Sequence, residues 1–106
     1  MENEINVAEL EQSLRQSSDQ VFLIDLMNKE DFAGNDNPGA VNIPVEELKN
    51  RIAEIPKNKN VVVACRRGLM KSDVALQQLH DSGFTNAKKL AGGTAGWFDF
   101  FLRSNS

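Results

Sequence analysis

Cysteine and histidine are scarce in this sequence, with one of each in 106 residues. A single cysteine excludes an internal disulfide and a CxxC redox pair. One cysteine and one histidine supply too few soft ligands for a zinc site, so we expect neither a metal nor a bound cofactor. Cys65 is therefore either a buried packing residue or a nucleophile.

The sequence also lacks a strong excess of charge and any long apolar run. Its formal net charge is −3, which gives no general attraction to nucleic acid or to an anionic membrane surface. No apolar run approaches a membrane span, and the first residues have neither the basic segment nor the apolar core of a signal peptide. We expect a cytoplasmic protein with one domain, residues 1–106, that binds neither nucleic acid nor membrane.

Short apolar runs alternate with segments of helical spacing along the chain. Residues 21–24 and 61–64 are typical of strands that are buried on both faces of a parallel sheet. Residues 40–43 and 87–90 are shorter candidate strands. Strands separated by helices predict an α/β fold with a small, mostly parallel central sheet and helices on both faces.

Three main helices are predicted from the spacing of apolar residues and from capping patterns. Asn6 and Glu9 have the spacing of a capping box at the start of the first helix. The second helix is predicted to run from Pro44 to Ile55. In the third, Ser72 is a candidate N-cap and Gly83 a candidate C-cap, with Val74, Ala75 and Leu79 facing inward. Shorter helices are predicted at residues 28–32 and 97–102.

Cys65 directly follows the apolar strand at residues 61–64, at the end where parallel sheets bind ligands. The connection to the next helix contains Gly68, which allows a tight bend, and three cations, Arg66, Arg67 and Lys71. Free N–H groups and the positive dipole end of a helix stabilise an anion there. An ordinary thiol is only roughly 3% ionised at pH 7, so this setting favours the reactive thiolate.

Several motifs in this order resemble those of the rhodanese homology domain across residues 21–97. They are LID at 23–25 followed by EDF at 30–32, PGAVNIP at 38–44, VVVAC at 61–65, SGF at 82–84 and LAGGTAGW at 90–97. The resemblance implies a rhodanese-like fold and a single-domain sulfurtransferase. In such enzymes the cysteine at the position of Cys65 takes a sulfane sulfur from thiosulfate or a persulfide donor and passes it to a thiol or cyanide.

The resemblance also implies the residues of the site. Cys65 is the implied catalytic residue, holding sulfur as a persulfide. The implied substrate-binding residues follow it directly: Arg66, Arg67, Gly68, Leu69, Met70, Lys71 and Ser72. The implied partners are a small sulfur-containing anion or thiol, or a protein persulfide donor, and we expect a monomer or a weak homodimer.

The loop after Cys65 departs from the family pattern CxxGxRS, because Ser72 lies seven positions after the cysteine instead of six. Either Met70 is inserted and Lys71 takes the place of the arginine, or Met70 replaces the arginine and Lys71 the serine. A longer loop is typical of related phosphatases and arsenate reductases, so an oxyanion enzyme is one alternative. A binding or regulatory module with little turnover is another.

A second departure lies near the first strand. Met27 stands where the family has arginine in its DxR motif, which removes a possible ion pair to Asp25. We interpret Asp25 itself as structural, with a side chain that accepts backbone hydrogen bonds at the end of its strand.

Overall fold

The sheet holds five strands in this computed structural model, which describes residues 4–27, 40–65 and 70–91. The strands are β1 (Glu4–Ile5), β2 (Val21–Asp25), β3 (Val41–Asn42), β4 (Asn60–Ala64) and β5 (Lys88–Leu90). Their order is β1-β5-β4-β2-β3, and every pairing in the described residues is parallel. The predicted parallel α/β architecture is confirmed.

The helices of the described residues connect these strands. They are α1 (Val7–Ser17), α2 (Val45–Leu48) and α3 (Met70–Asp81), with 3-10 helices at Ser18–Gln20 and Lys49–Glu54. The longest, α3, has 12 residues, and none of the helices described has the length and hydropathy of a bilayer span. The helices predicted at residues 28–32 and 97–102 lie outside the described residues.

A reciprocal capping box begins α1. The Glu9 N–H donates to Asn6 Oδ1 at 2.7 Å, and the Asn6 N–H donates to Glu9 Oε1 at 3.0 Å. Two N–H groups at the helix start, which lack intrahelical acceptors, are thereby satisfied. The prediction from the spacing of the two residues is confirmed. The helix then buries Leu10 completely against the sheet.

The second helix is not continuous, contrary to the prediction. One α-helical turn, α2, gives way to the 3-10 helix Lys49–Glu54, and Ile55 has extended backbone angles. Pro56 explains the extended residue, because proline disfavours helical angles in the residue before it. The Ile55 N–H then closes the tighter 3-10 turn by donating to the Ile52 carbonyl oxygen at 3.0 Å.

The third helix begins two residues earlier than predicted, so Ser72 is not its N-cap. Ser72, Ala75, Leu76 and Leu79 are all buried and share one helical face at spacings of three and four residues. Val74 lies about 200° around the helix from Ser72 and is 47% exposed. Its predicted inward position is therefore wrong, whereas those of Ala75 and Leu79 are confirmed.

Gly83 lies just after the end of α3 and has left-handed backbone angles, with a φ of 98°. The Gly83 N–H donates to the His80 carbonyl oxygen at 3.1 Å, and the Phe84 N–H donates to that of Leu79 at 2.9 Å. This pair of hydrogen bonds is the Schellman motif, which places buried Phe84 under the helix end. The predicted glycine C-cap is confirmed.

Alternate residues of β4 face opposite sides of the sheet, and both sides are buried. Val61 and Val63 belong to the core layer beneath α2 and α3, which also includes Cys65. Val62 and Ala64 belong to the layer beneath α1. Cys65 continues the alternation of the strand and therefore faces α3.

Candidate functional site

Cys65 lies at the carboxyl end of the central strand β4, under the first turn of α3. It is 6% exposed, and the fully buried Ser72 hydroxyl donates to its Sγ at 3.4 Å. The early start of α3 makes this contact possible, because it places Ser72 on the inner face of the helix. The hydroxyl donor and the positive end of α3 stabilise a negative charge on this sulfur, whereas its burial among apolar residues opposes that charge.

Backbone hydrogen bonds hold the carboxyl ends of the neighbouring strands in place around Cys65. The Leu26 N–H donates to the Ala64 carbonyl oxygen at 2.8 Å, immediately before the cysteine. The Asn42 side-chain amide donates to the carbonyl oxygens of Asp25 at 3.1 Å and Met27 at 2.7 Å. The backbone before Cys65 is therefore held by the end of β2, and Asn42 of β3 in turn holds the end of β2.

The Asp25 carboxylate is fully buried at the end of β2. Its Oδ1 accepts a hydrogen bond from the Met27 N–H at 2.9 Å, which closes a local turn. This is the structural role predicted for Asp25. Met27, which replaces the family arginine, is itself 8% exposed and belongs to the buried core residues.

A cation from β5 also lies near the site, and sequence reasoning missed it. Lys89 Nζ is 2.6 Å from Asp73 Oδ1, and its side chain is 23% exposed. The hydrogen bond to Asp73 is the largest cause that raises the pKa of Lys89, with further contributions from the charges of Glu4 and Cys65; partial burial opposes them. No local signal in the sequence distinguishes Lys89, because its position depends on which strand pairs with β4.

The residues predicted to bind substrate are only partly described. Ser72 contacts the Cys65 sulfur, whereas Lys71 is exposed on the first turn of α3. Met70 is the first residue of that helix. Arg66, Arg67, Gly68 and Leu69 lie outside the described residues. Of the two predicted residues whose side chains are described, Lys71 and Ser72, it is Ser72 that contacts Cys65.

A cavity of about 230 Å³ lies between α1 and the amino ends of the strands. Its lining residues are Ile5, Leu10, Ser13, Val21, Asn60, Val61, Val62, Asn86 and Lys88. Cys65 is at the opposite end of β4, and this lining contains no cysteine. The cavity is therefore separate from the chemistry that Cys65 can support.

Comparison with known proteins finds a matching family, similar sequences and similar structures. A sequence profile for the family described as Rhodanese-like domain matches residues 6–99. A sulfurtransferase of Allochromatium vinosum is 34% identical over 97 residues, which cover 92% of this chain and 89% of that protein. A human single-domain sulfurtransferase has a similar structure, with a TM-score of 0.80 at 26% identity, over 92% of this chain and 96% of that one.

A longer protein also contains a similar unit. The structure of a NAD-dependent persulfide reductase of A. fulgidus matches with a TM-score of 0.70 at 34% identity. That match covers 91% of this chain but only 16% of the reductase chain. The match therefore concerns one part of that enzyme.

Proposed function

Because this chain belongs to the rhodanese-like domain family, with sulfurtransferases among its relatives, we propose that it carries sulfane sulfur as a persulfide on Cys65. The single observation that carries the proposal is the position of the Cys65 sulfur. It lies at the carboxyl end of the central strand, 3.4 Å from the Ser72 hydroxyl. A buried thiolate beside a hydrogen-bond donor is suited to nucleophilic attack on sulfur.

The proposed reaction has two displacements at sulfur. The Cys65 thiolate attacks the outer sulfur of thiosulfate; the new S–S bond forms as the bond to the sulfonate breaks, and sulfite leaves with the electron pair. A thiolate or cyanide acceptor then attacks the outer sulfur of the persulfide. This step forms a new persulfide or thiocyanate and returns the Cys65 thiolate. Both steps have thiolates as nucleophile or leaving group, so neither needs a histidine base.

We propose that a protein persulfide or a low-molecular-weight persulfide is an alternative donor. The support is the similar unit within the NAD-dependent persulfide reductase, whose name specifies a persulfide substrate. The attack on such a donor differs only in its leaving group, which is a thiolate in place of sulfite. The same Cys65 persulfide results from either donor.

The loop after Cys65 is proposed to bind the donor and the leaving group, with Arg66, Arg67 and Lys71 as charge partners. Guanidinium groups suit an oxyanion because they donate in a planar, bidentate way. The contact between Ser72 and Cys65 supports the register in which Ser72 keeps the place of the family serine and Met70 is the inserted residue. In that register Lys71 takes the place of the family arginine.

The test is to incubate the protein with thiosulfate, and separately with a small persulfide, and to measure its intact mass. We expect a gain of one sulfur atom per chain, removed by cyanide with formation of thiocyanate, and no gain in Cys65→Ser. The chain has one cysteine, so the added sulfur has one thiol to occupy. If neither donor adds sulfur, the proposal is wrong. Release of phosphate from an ester, or reduction of arsenate, would then identify an oxyanion enzyme.

A further inference from the structure

The sheet register places Lys89 beside the strand end that carries Cys65. Lys89 on β5 pairs with Val63 on β4, and Cys65 follows Val63 by two residues on the same face of the sheet. With strands ~4.8 Å apart and a rise of ~3.3 Å per residue, the two Cα atoms are separated by roughly 8 Å. A lysine side chain is long and flexible enough to bring its charge closer than that.

The α3 helix fixes the direction of the Lys89 side chain. Its ammonium group forms an ion pair with Asp73 at 2.6 Å. Asp73 directly follows Ser72, whose hydroxyl contacts the Cys65 sulfur. The same helical turn therefore carries both the hydroxyl that donates to Cys65 and the carboxylate that binds Lys89.

We propose that Lys89 is a charge partner of Cys65, whose ammonium stabilises the sulfur anion, and that Asp73 is the positioning residue that holds this ammonium over the site. The raised pKa of Lys89 agrees with this placement: its largest cause is the hydrogen bond to Asp73, and the charges of Asp73, Glu4 and Cys65 add to it while partial burial opposes them. Electrostatic coupling is reciprocal, so the lysine must stabilise the charged form of the cysteine to the same extent. The proposal deepens the sulfurtransferase function, because the same charge stabilises the persulfide anion and the thiolate that leaves it.

Besides Asp73, the neighbouring strands carry the acidic residues Glu4 and Asp25, and α3 carries the cation Lys71. Glu4 on β1 pairs in register with Lys89, and Asp25 ends β2, whose last residue pairs with Ala64. Lys71 on the first turn of α3 is exposed. The negative charge of Cys65 is among the causes that raise the pKa of Lys89.

Lys88 provides a matched control on the opposite face of the sheet. It pairs with Val62, which belongs to the core layer beneath α1, and it lines the cavity at the far end. Lys88→Met and Lys89→Met remove the same charge from adjacent positions of one strand. Only the second removes a charge from the face that carries Cys65.

The experiment is a pH titration of the thiolate by its ultraviolet absorbance. The signal belongs to one group, since the chain has one cysteine and no tyrosine whose phenolate would interfere. We expect Lys89→Met to raise the midpoint by about 0.4 to 1.5 pH units, from Coulomb's law at ~8 Å with an effective dielectric constant between ~80 and ~20. Lys89→Arg should restore the midpoint, and Lys88→Met should leave it unchanged.

Equal midpoints in Lys89→Met and Lys88→Met would overturn the proposal, as would failure of arginine to restore the value. Lys89→Gln serves as a second neutral variant if the methionine variant does not fold, with circular dichroism as the check. The titration needs no sulfur donor. A protein that forms no persulfide but shows the Lys89 effect would refute the sulfurtransferase function and retain Lys89 as a charge partner. A protein that forms the persulfide but shows no Lys89 effect would retain the sulfurtransferase function and refute the role of Lys89.

Discussion

Removing the Ser72 hydroxyl should make Cys65 a poorer nucleophile without unfolding the protein. Ser72→Ala deletes one oxygen atom from a fully buried side chain and takes away the hydrogen bond to the sulfur. A hydrogen bond to a charged group contributes about 1.5 to 3 kcal/mol, and sulfur, a weak acceptor at 3.4 Å, belongs at the low end. About 1.5 kcal/mol corresponds to roughly one pH unit in the midpoint of thiol ionisation.

The effect on the rate is smaller than the effect on ionisation. Below the midpoint, an upward move of one pH unit leaves roughly a tenth of the thiolate. The more basic thiolate is intrinsically about threefold more nucleophilic, from a Brønsted coefficient of ~0.4–0.5. The two factors together predict a fall of roughly threefold in the alkylation rate at pH values below both midpoints.

The assay is the rate of Cys65 alkylation by iodoacetamide across a range of pH. Ser13→Ala is the matched control, because it makes the same change on α1, in a residue that lines the cavity at the far end of the sheet. Ser13→Ala should keep the unaltered pH–rate profile. A Ser72→Ala profile that coincides with it would refute the reasoning that the hydroxyl stabilises the thiolate.

Two further predictions concern stability and titration. Gly83→Ala should lower the free energy of unfolding by about 1 kcal/mol, because left-handed angles cost ~1–2 kcal/mol and reduced unfolded-state entropy returns part of this. The new Cβ would meet Lys57 Nζ at 3.5 Å, an ordinary contact, so the loss comes from the backbone angles and not from a clash. Asparagine tolerates these angles, and Gly83→Asn should therefore lose less unfolding free energy than Gly83→Ala in urea denaturation. Equal losses in the two variants would contradict the strain argument. The hydrogen bond from Arg51 lowers the pKa of Glu54. The stabilisation from this pair is therefore fully present at pH values above the usual pKa of glutamate, and it is lost as the pH falls through the lowered pKa. Arg51→Met should raise the pKa of Glu54 in an NMR titration, and an unchanged value would show that the ion pair is absent in solution.

The parts of the fold that could be predicted are those with a local cause. The apolar run before Cys65 predicted β4 and therefore the place of the cysteine at the sheet edge where ligands bind. The capping pair at α1 and the glycine after α3 depend on residues three to five positions apart. The change from α2 to a 3-10 helix was not predicted, since apolar spacing is similar in both kinds of helix.

The parts that could not be predicted depend on distant pairings. Strand β1 has only two residues and pairs with β5, so that Glu4 lies opposite Lys89 at a separation of 85 residues (89 − 4). No local pattern of a two-residue strand reveals that partner. In the same way, Lys89 lies near the strand end of Cys65 because the strand order places β5 beside β4. The hydrogen bond from Ser72 to the Cys65 sulfur was not predicted, because the sequence indicates Ser72 as a helix cap and not as a residue on the inner face of the helix.

The two-residue strands β1 and β3 form both outer edges of the sheet in the described part of the chain. An exposed edge offers unpaired backbone groups to other chains and promotes aggregation, and short or charged edge strands limit this risk. Here β1 covers β5, with the Ala91 N–H donating to the Ile5 carbonyl oxygen at 2.9 Å, and it bears a glutamate. Self-association by strand addition is therefore disfavoured at these edges.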